Sequence, residues 1–205
     1  MTTAIFCFNK ALDINPSSAL GHYGIALSHG PNYNTPFMTR DSFPSGEAAY
    51  SHAQLANELI CDPEIKSKLS LVEIALIEAL RCRFNPVAEG EVQIEQNTLA
   101  YIDALSVVYE KYGDIPCVAS MYAEALMQTS PWKLWDLDTG TPTAHASRAK
   151  IVLEKALASA PHHPGLNHFY IHLMEMSPTP EVTLASCNAL RYKVSGEKGG
   201  YSPCS

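Results

Sequence analysis

One spacing of small and large apolar residues occurs twice in this sequence, and it limits the folds open to the chain. The pattern Ala-x3-(large apolar)-x2-Ala-x4-Pro covers residues 4–16 and again residues 149–161. In a helix, residues four and seven positions apart lie on one face, where the small side chains let a second helix approach closely. The final proline ends the helix. A weaker copy covers residues 51–63, with Glu58 in place of the second alanine.

This spacing is typical of the second helix of a tetratricopeptide repeat, a unit of two antiparallel helices. Further helical patterns fill the sequence between the copies: 17–29, 64–83, 97–112, 115–127, 144–159, 165–176 and 181–191. No segment alternates convincingly with a period of two, so we expect no sheet. The sequence therefore predicts an all-α protein, a right-handed superhelix of antiparallel helix pairs over residues 1–191, with a disordered tail over 192–205.

Composition narrows the partners and the location. Hydrophobic residues make up 46% of the 205, which is enough for a core, and 14 Lys and Arg stand against 21 Asp and Glu. A net charge of -7 argues against nucleic acid as a partner. The most apolar helical stretch, 69–80, contains two glutamates, which argue against a membrane span. No basic residue precedes Lys10, so the N-terminus lacks the charged start of a signal peptide. Six scattered cysteines suit buried thiols in a reducing compartment. We expect a cytoplasmic protein that does not enter membranes.

The sharpest candidate for chemistry is the histidine-rich segment that begins at His163. His168, His172 and Glu175 lie four and three residues apart, so they share one face of a helix. Two imidazoles at this spacing can chelate one divalent ion, but His168 and Glu175 are about 10 Å apart along the axis. A metal would therefore use two of the three, with further ligands such as His163. The alternatives are a buried row in which Glu175 orients the rings without an ion, and proton-transfer chemistry.

Other residues are candidates for ligand binding: Asn32, Asn34, Glu124, Trp132 and Trp135. The two asparagines follow a Gly-Pro helix stop, where their amides either contact a ligand or bond their own backbone. Glu124 lies in an otherwise apolar helix and faces either solvent or a basic partner. The tryptophans lie in the long loop 130–143, which we expect to be ordered. They either plug a groove between helices or form the wall of a binding cavity.

Three strings together resemble a family of large, poorly characterised tetratricopeptide-repeat proteins. They are GPNxN at 30–34, YAEALMxxxPWxxW at 122–135 and HPGxxHxYIHxxE at 163–175. The resemblance covers most of the chain and implies a helical-repeat scaffold. Members usually carry a second histidine cluster, GHxxHMPxH, after the helix equivalent to 181–191. Residues 193–200 contain no histidine, so the resemblance implies that an activity built on both clusters is impaired or lost.

Two functions from different classes follow from these residues. The first is a scaffold whose concave surface binds a protein or peptide partner. The second is a metal-binding protein or metal-dependent enzyme on the His168/His172/Glu175 face, with a divalent ion as its cofactor. No phosphate-binding glycine loop or G-x-S-x-G elbow assigns a reaction. Because the chain opens within a second-helix half and ends without a pattern, we expect truncation at both ends, and a non-functional product is a third interpretation. The oligomeric state stays open.

Overall fold

The structure is a computed structural model and describes residues 2–34, 43–84 and 91–194. Ten α-helices occupy these residues: α1 Thr2–Ile14, α2 Ala19–His29, α3 Phe43–Leu59, α4 Pro63–Lys66, α5 Leu71–Phe84, α6 Glu91–Tyr112, α7 Pro116–Met127, α8 Ala144–Ser159, α9 Pro164–Met174 and α10 Leu184–Val194. A 3₁₀ turn, Pro180–Thr183, precedes α10. These ranges hold no strand, and Trp135 and Pro142 form an isolated bridge. The prediction of an all-α protein without a sheet is confirmed for this part of the chain.

The chain folds as two compact units, Met1–Val108 (unit 1) and Tyr109–Ser205 (unit 2). In unit 1, α2 packs against α1, α3 and α5, and α3 also packs against α5. In unit 2, α8 packs against α7 and α9, and α9 packs against α7 and α10. The consecutive helices α1 to α3 in unit 1 and α7 to α10 in unit 2 therefore pack together, and α3 also packs against α5. A single superhelix over 1–191 stays a prediction.

Two glycines of α2 let α1 pack closely on it. A Cβ atom at Gly21 would lie 2.7 Å from Leu12 Cδ2, and one at Gly24 would overlap the ring of Phe8. Since glycine has no Cβ atom, both side chains of α1 reach the backbone of α2. Ser18 begins α2, because its Oγ accepts a hydrogen bond from the Gly21 N–H at 3.1 Å. Two apolar side chains thus fix α1 on α2.

The face through which α3 packs differs from the predicted one. The predicted positions are exposed: Ser51, Leu55 and Glu58. The buried face has the same spacing two residues earlier: Ala49, Ala53 and Ala56. The spacing is therefore correct and its register in 51–63 is wrong, because three alanines pack more closely than a face carrying Leu55 and Glu58. In α8 the motif residues of 149–161 are buried, whereas in α1 both alanines of 4–16 are exposed.

The predicted helix 64–83 is two helices, α4 and α5. Ser70 and Glu73 form a capping box between them. Glu73 Oε2 accepts hydrogen bonds from the N–H and the hydroxyl of Ser70, both at 2.7 Å. In return, Ser70 Oγ accepts one from the Glu73 N–H at 3.3 Å. This cap starts a new helix inside a stretch whose apolar period runs on without a break.

Three other boundaries differ from the predicted ones. α6 begins at Glu91, earlier than the predicted residue 97. The apolar pattern does not indicate these first turns because they are mostly polar. α9 ends at Met174 rather than at 176, with Glu175 as its C-cap. α10 reaches Val194, so the backbone of residues 192–194, predicted as part of the tail, is helical. Residues 195–205 of that predicted tail lie outside the described residues.

The prediction of buried thiols is wrong for Cys117, which is disulfide-bonded, and the four described cysteines with free thiols are less buried than predicted. Cys7 and Cys61 are exposed, whereas Cys82 and Cys187 are partly buried. The two exposed thiols lie on α1 and just after α3, where neither packs into the core. Over the described ranges, none of the helices combines the length and the apolar character needed to cross a bilayer.

Candidate functional site

His163 begins α9 and is held by two contacts. Its Nδ1 accepts a hydrogen bond from the Leu166 N–H at 3.2 Å, which makes it the N-cap of the helix. Because Nδ1 accepts, a neutral ring carries its hydrogen on Nε2, which faces Cys117 Sγ of α7 at 3.5 Å. The lone pair that a metal would need is therefore occupied by the backbone.

The predicted row of His168, His172 and Glu175 forms on α9 and its C-cap. The two imidazole rings meet edge to face, with their centroids 4.7 Å apart. His172 Nδ1 lies 3.2 Å from Glu175 Oε1. His168 and Glu175 are exposed and His172 is partly exposed, so the row lies at the surface, and the buried alternative is wrong. Partial desolvation, and after it His172, lower the pKa of His168, and Glu175 acts in the opposite direction.

A metal site needs further ligands, and none joins this row. Within residues 2–34, 43–84 and 91–194, no group of three or more His, Cys, Asp and Glu side chains is arranged to hold a metal ion. The structure brings two imidazoles and one carboxylate to one helix face. A metal on that face stays a prediction, and it would need water or an added molecule to complete its coordination.

The loop that carries both tryptophans is ordered by its own hydrogen bonds. Asp136 Oδ1 accepts from the N–H groups of Asp138 and Thr139 and from the Thr139 hydroxyl. The bonds from Thr139, first its backbone N–H and then its hydroxyl, hold the pKa of Asp136 below its ordinary value. The Thr143 N–H donates to Leu134 O at 2.9 Å and closes the loop before α8 begins. The expectation of an ordered loop is met.

The two tryptophans have different surroundings. Trp135 is 8% exposed, and its Nε1–H donates to Leu173 O of α9 at 2.7 Å. Trp132 is 45% exposed and has a positive φ of 55°. The plug interpretation therefore fits Trp135 and is wrong for Trp132.

The remaining predicted ligands make local hydrogen bonds. Glu124 is half-buried on α7, and its Oε1 accepts from Gln128 Nε2, one turn further on, at 2.9 Å. Asn32 Oδ1 accepts from the Asn34 N–H at 3.0 Å. This is the backbone-bonding alternative, an Asx turn after the helix stop. Asn32 and Asn34 belong to unit 1 and the other candidates to unit 2.

A groove in unit 2 was not predicted. It has a volume of about 800 Å³, is open to solvent and lies between α8, α9, the 3₁₀ turn and α10; we call it the α8–α10 groove. Its apolar lining consists of Leu157, Ala158, Pro161, Val182, Ala185 and Ala189. Its polar lining consists of Glu154, His162, Asn167, Tyr170, Ser186 and Asn188. Such a concave, mostly apolar surface with a few polar groups is typical of a binding site.

One carboxylate is fixed at the edge of this groove. The Tyr170 hydroxyl donates to Glu154 Oε1 at 3.0 Å. Burial, and after it the bond to Glu154, raises the pKa of Tyr170 to about 12, so the phenol stays a donor at neutral pH. Lys150 Nζ lies 3.8 Å from the same oxygen in an exposed pair. Asn167 is committed to the backbone, because its Nδ2 donates to Pro161 O and His163 O.

The chain has no match among protein-family models, curated proteins or solved structures. The proposals below therefore rest on the residues of this chain alone.

Proposed function

We propose that this chain is a helical-repeat scaffold, of the tetratricopeptide kind, that binds a protein or peptide partner. The observation that carries the proposal is the open, largely apolar α8–α10 groove. The order of packing supports the repeat architecture, since the successive helices α1 to α3 and α7 to α10 contact one another. The buried motif residues of 149–161 give further support, because their small and large side chains form the packed face of α8.

The groove favours a peptide that presents apolar side chains together with one cation. Its apolar lining removes the partner's apolar surface from water, at about 25 cal/mol per Å². Glu154 is the only carboxylate among the described residues that line it, and no Lys or Arg is among them. The bond from Tyr170 holds this carboxylate in place, so an incoming Lys or Arg meets a fixed partner. The pair with Lys150 is long and exposed, and such a pair is worth at most about 1 kcal/mol.

A peptide-binding measurement tests the proposal. Peptides selected from a random library on the wild-type protein are measured against Ala185→Arg, which places a long cation in the groove at an exposed position. Leu184→Arg is the matched control, because it adds the same charge to the same helix at an exposed residue outside the groove lining. We expect A185R to weaken binding by about tenfold or more and L184R to leave it unchanged. Equal affinity for both variants, or no selected peptide, contradicts the proposal.

The choice of a cationic partner has its own test. Glu154→Gln keeps the hydrogen bond from Tyr170 and removes the charge. We expect E154Q to lower the affinity for selected peptides that carry Lys or Arg and to leave their Lys-to-Met versions unaffected. An equal loss of affinity for both kinds of peptide would show that Glu154 does not bind the cation of the peptide.

A metal-binding protein or metal-dependent enzyme is the second candidate. The close edge-to-face approach of His168 and His172 beside Glu175, all at least partly exposed, favours it. A divalent transition-metal ion would use the two imidazoles, or His172 and Glu175, with outside ligands. Elemental analysis of the wild-type protein and of His172→Ala checks this candidate. Near-stoichiometric metal that disappears in H172A supports it, and equal metal content in both proteins contradicts it.

A further inference from the structure

Two histidines join α2 to α3 in unit 1, apart from the candidate site residues and the groove of unit 2. His22 of α2 is 6% exposed, and His52 of α3 is partly buried. Their Nδ1 atoms lie 2.8 Å apart. His22 Nε2 lies 3.0 Å from Pro16 O, in the turn that precedes α2. The pair therefore connects the α1–α2 turn, α2 and α3.

The Pro16 carbonyl determines which ring nitrogens of His22 and His52 carry hydrogen. A carbonyl only accepts, so His22 Nε2 carries a hydrogen and donates it. In the neutral ring, His22 Nδ1 is then an acceptor, and His52 Nδ1 must be the donor. The ring centroids are 5.0 Å apart. This distance is close to the sum of the two ring radii and the 2.8 Å between the Nδ1 atoms. Both nitrogens thus lie close to the line between ring centres, as in a straight N–H···N bond.

This geometry differs from that of a metal site. Two metal ligands direct their lone pairs at a third point, whereas these two nitrogens face each other. The described residues also contain no third His, Cys, Asp or Glu side chain that would complete such a site. The bond accommodates one hydrogen between the rings. A proton taken up by His52 binds at Nε2, so it leaves the N–H···N bond in place and adds a positive charge to this partly buried pair.

The surroundings disfavour a positive charge on His52. Burial, then His22 and then His29, lower the pKa of His52, and burial lowers the pKa of His29 as well. Both groups that act electrostatically on His52 are histidines of α2. Among the described residues, no carboxylate or cation of α1, α3 or α5 acts on it. Within the part of the chain that the structure describes, a proton on His52 therefore meets no countercharge.

We propose that His22 and His52 form a pH-sensitive junction, in which a neutral imidazole pair holds α2 against α3 and uptake of protons loosens unit 1. The direction follows from linkage. The unfolded chain binds a proton at His52 near pH 6.5, and the folded chain binds it only at lower pH. The stabilisation is fully present above about pH 6.5 and is lost as the pH falls through the lowered pKa.

Hydrogen exchange of the full chain at pH 7.5 and pH 5.0, expressed as protection factors, tests the junction. His52→Gln donates to His22 Nδ1 and does not titrate, and His162→Gln is the control, an exposed histidine of unit 2. We expect amides of α2 and α3 to lose protection about tenfold or more at pH 5.0 in the wild type and in H162Q, and much less in H52Q. Equal losses in wild type and H52Q overturn the proposal.

Imidazole titration by NMR on the wild-type protein gives a second test, which holds even if H52Q does not fold. The proposal predicts that His22 is the Nε2–H tautomer at neutral pH and that the His52 ring titrates below the ordinary histidine range. A His52 ring that titrates in the ordinary histidine range overturns it.

Discussion

Trp135→Phe removes one defined hydrogen bond from unit 2. The Trp135 Nε1–H donates to Leu173 O at 2.7 Å. Leu173 lies in the last turn of α9, where carbonyls have no donor within the helix. The Ser177 N–H donates to the neighbouring Met174 O instead. Phenylalanine keeps an aromatic ring in the site and leaves this buried carbonyl without the indole donor.

The expected decrease in the free energy of unfolding follows from the loss of the indole N–H donor. A buried acceptor left unsatisfied destabilises by about 1–3 kcal/mol. For a unit of this size, a loss of about 2 kcal/mol lowers the thermal midpoint by about 10 °C. Chemical unfolding followed by far-UV circular dichroism measures the free energy directly. Trp132→Phe is the matched control, because Trp132 is exposed, and we expect its effect to stay within about 0.5 kcal/mol.

Two results would refute this reasoning. If W132F destabilises as much as W135F, exposure and hydrogen bonding do not distinguish the tryptophans. If W135F unfolds at the wild-type midpoint, the indole does not cap α9. Fluorescence provides an independent check, because W132F leaves only the buried indole and should emit at shorter wavelength than W135F.

Three further predictions concern α1, α5 and the groove. Gly24→Ala should destabilise unit 1 by about 1–2 kcal/mol in chemical unfolding, although alanine has the better helix propensity, because the new Cβ atom meets the Phe8 ring. Adding Phe8→Ala to this variant should remove the penalty. A G24A protein that is more stable than wild type would show that α1 does not pack closely on α2. Ser70→Ala should cost about 1 kcal/mol in chemical unfolding through loss of the cap of α5, and an unchanged free energy of unfolding counts against the cap. In a spectrophotometric titration, Tyr170→Phe should remove a phenol that ionises at about pH 12, and loss of an ordinary phenol step near pH 10 would contradict its burial.

The helices were predictable from sequence because apolar period and helix stops are local signals. The break between α4 and α5 was missed because Ser70 and Glu73 act through two side chains that leave the apolar period unchanged. The register of α3 was missed for a related reason. The pattern places the large apolar Leu55 on the packed face, but a face of alanines such as Ala53 allows closer packing between helices.

The candidate site was only partly predictable. Residues on one helix face, such as His168 and His172, come together as their spacing predicts. Whether such a row is buried depends on neighbouring helices, which spacing does not reveal. The α8–α10 groove was missed because Ala185 and Ala189 look like core residues in the sequence, and they line a groove only because of how α8, α9 and α10 are arranged. The link between His22 and His52 spans two helices and leaves no local signal.

The most direct test of the scaffold proposal is an NMR titration of the isotope-labelled full chain with a peptide selected on the wild-type protein. The account predicts that amide shifts concentrate on the α8–α10 groove, around Leu157, Ala185 and Ala189, and that A185R needs about tenfold or more peptide to reach the same shifts. Shifts that cluster instead on the His168/His172 face, or on unit 1, would contradict the claim that this groove binds the partner.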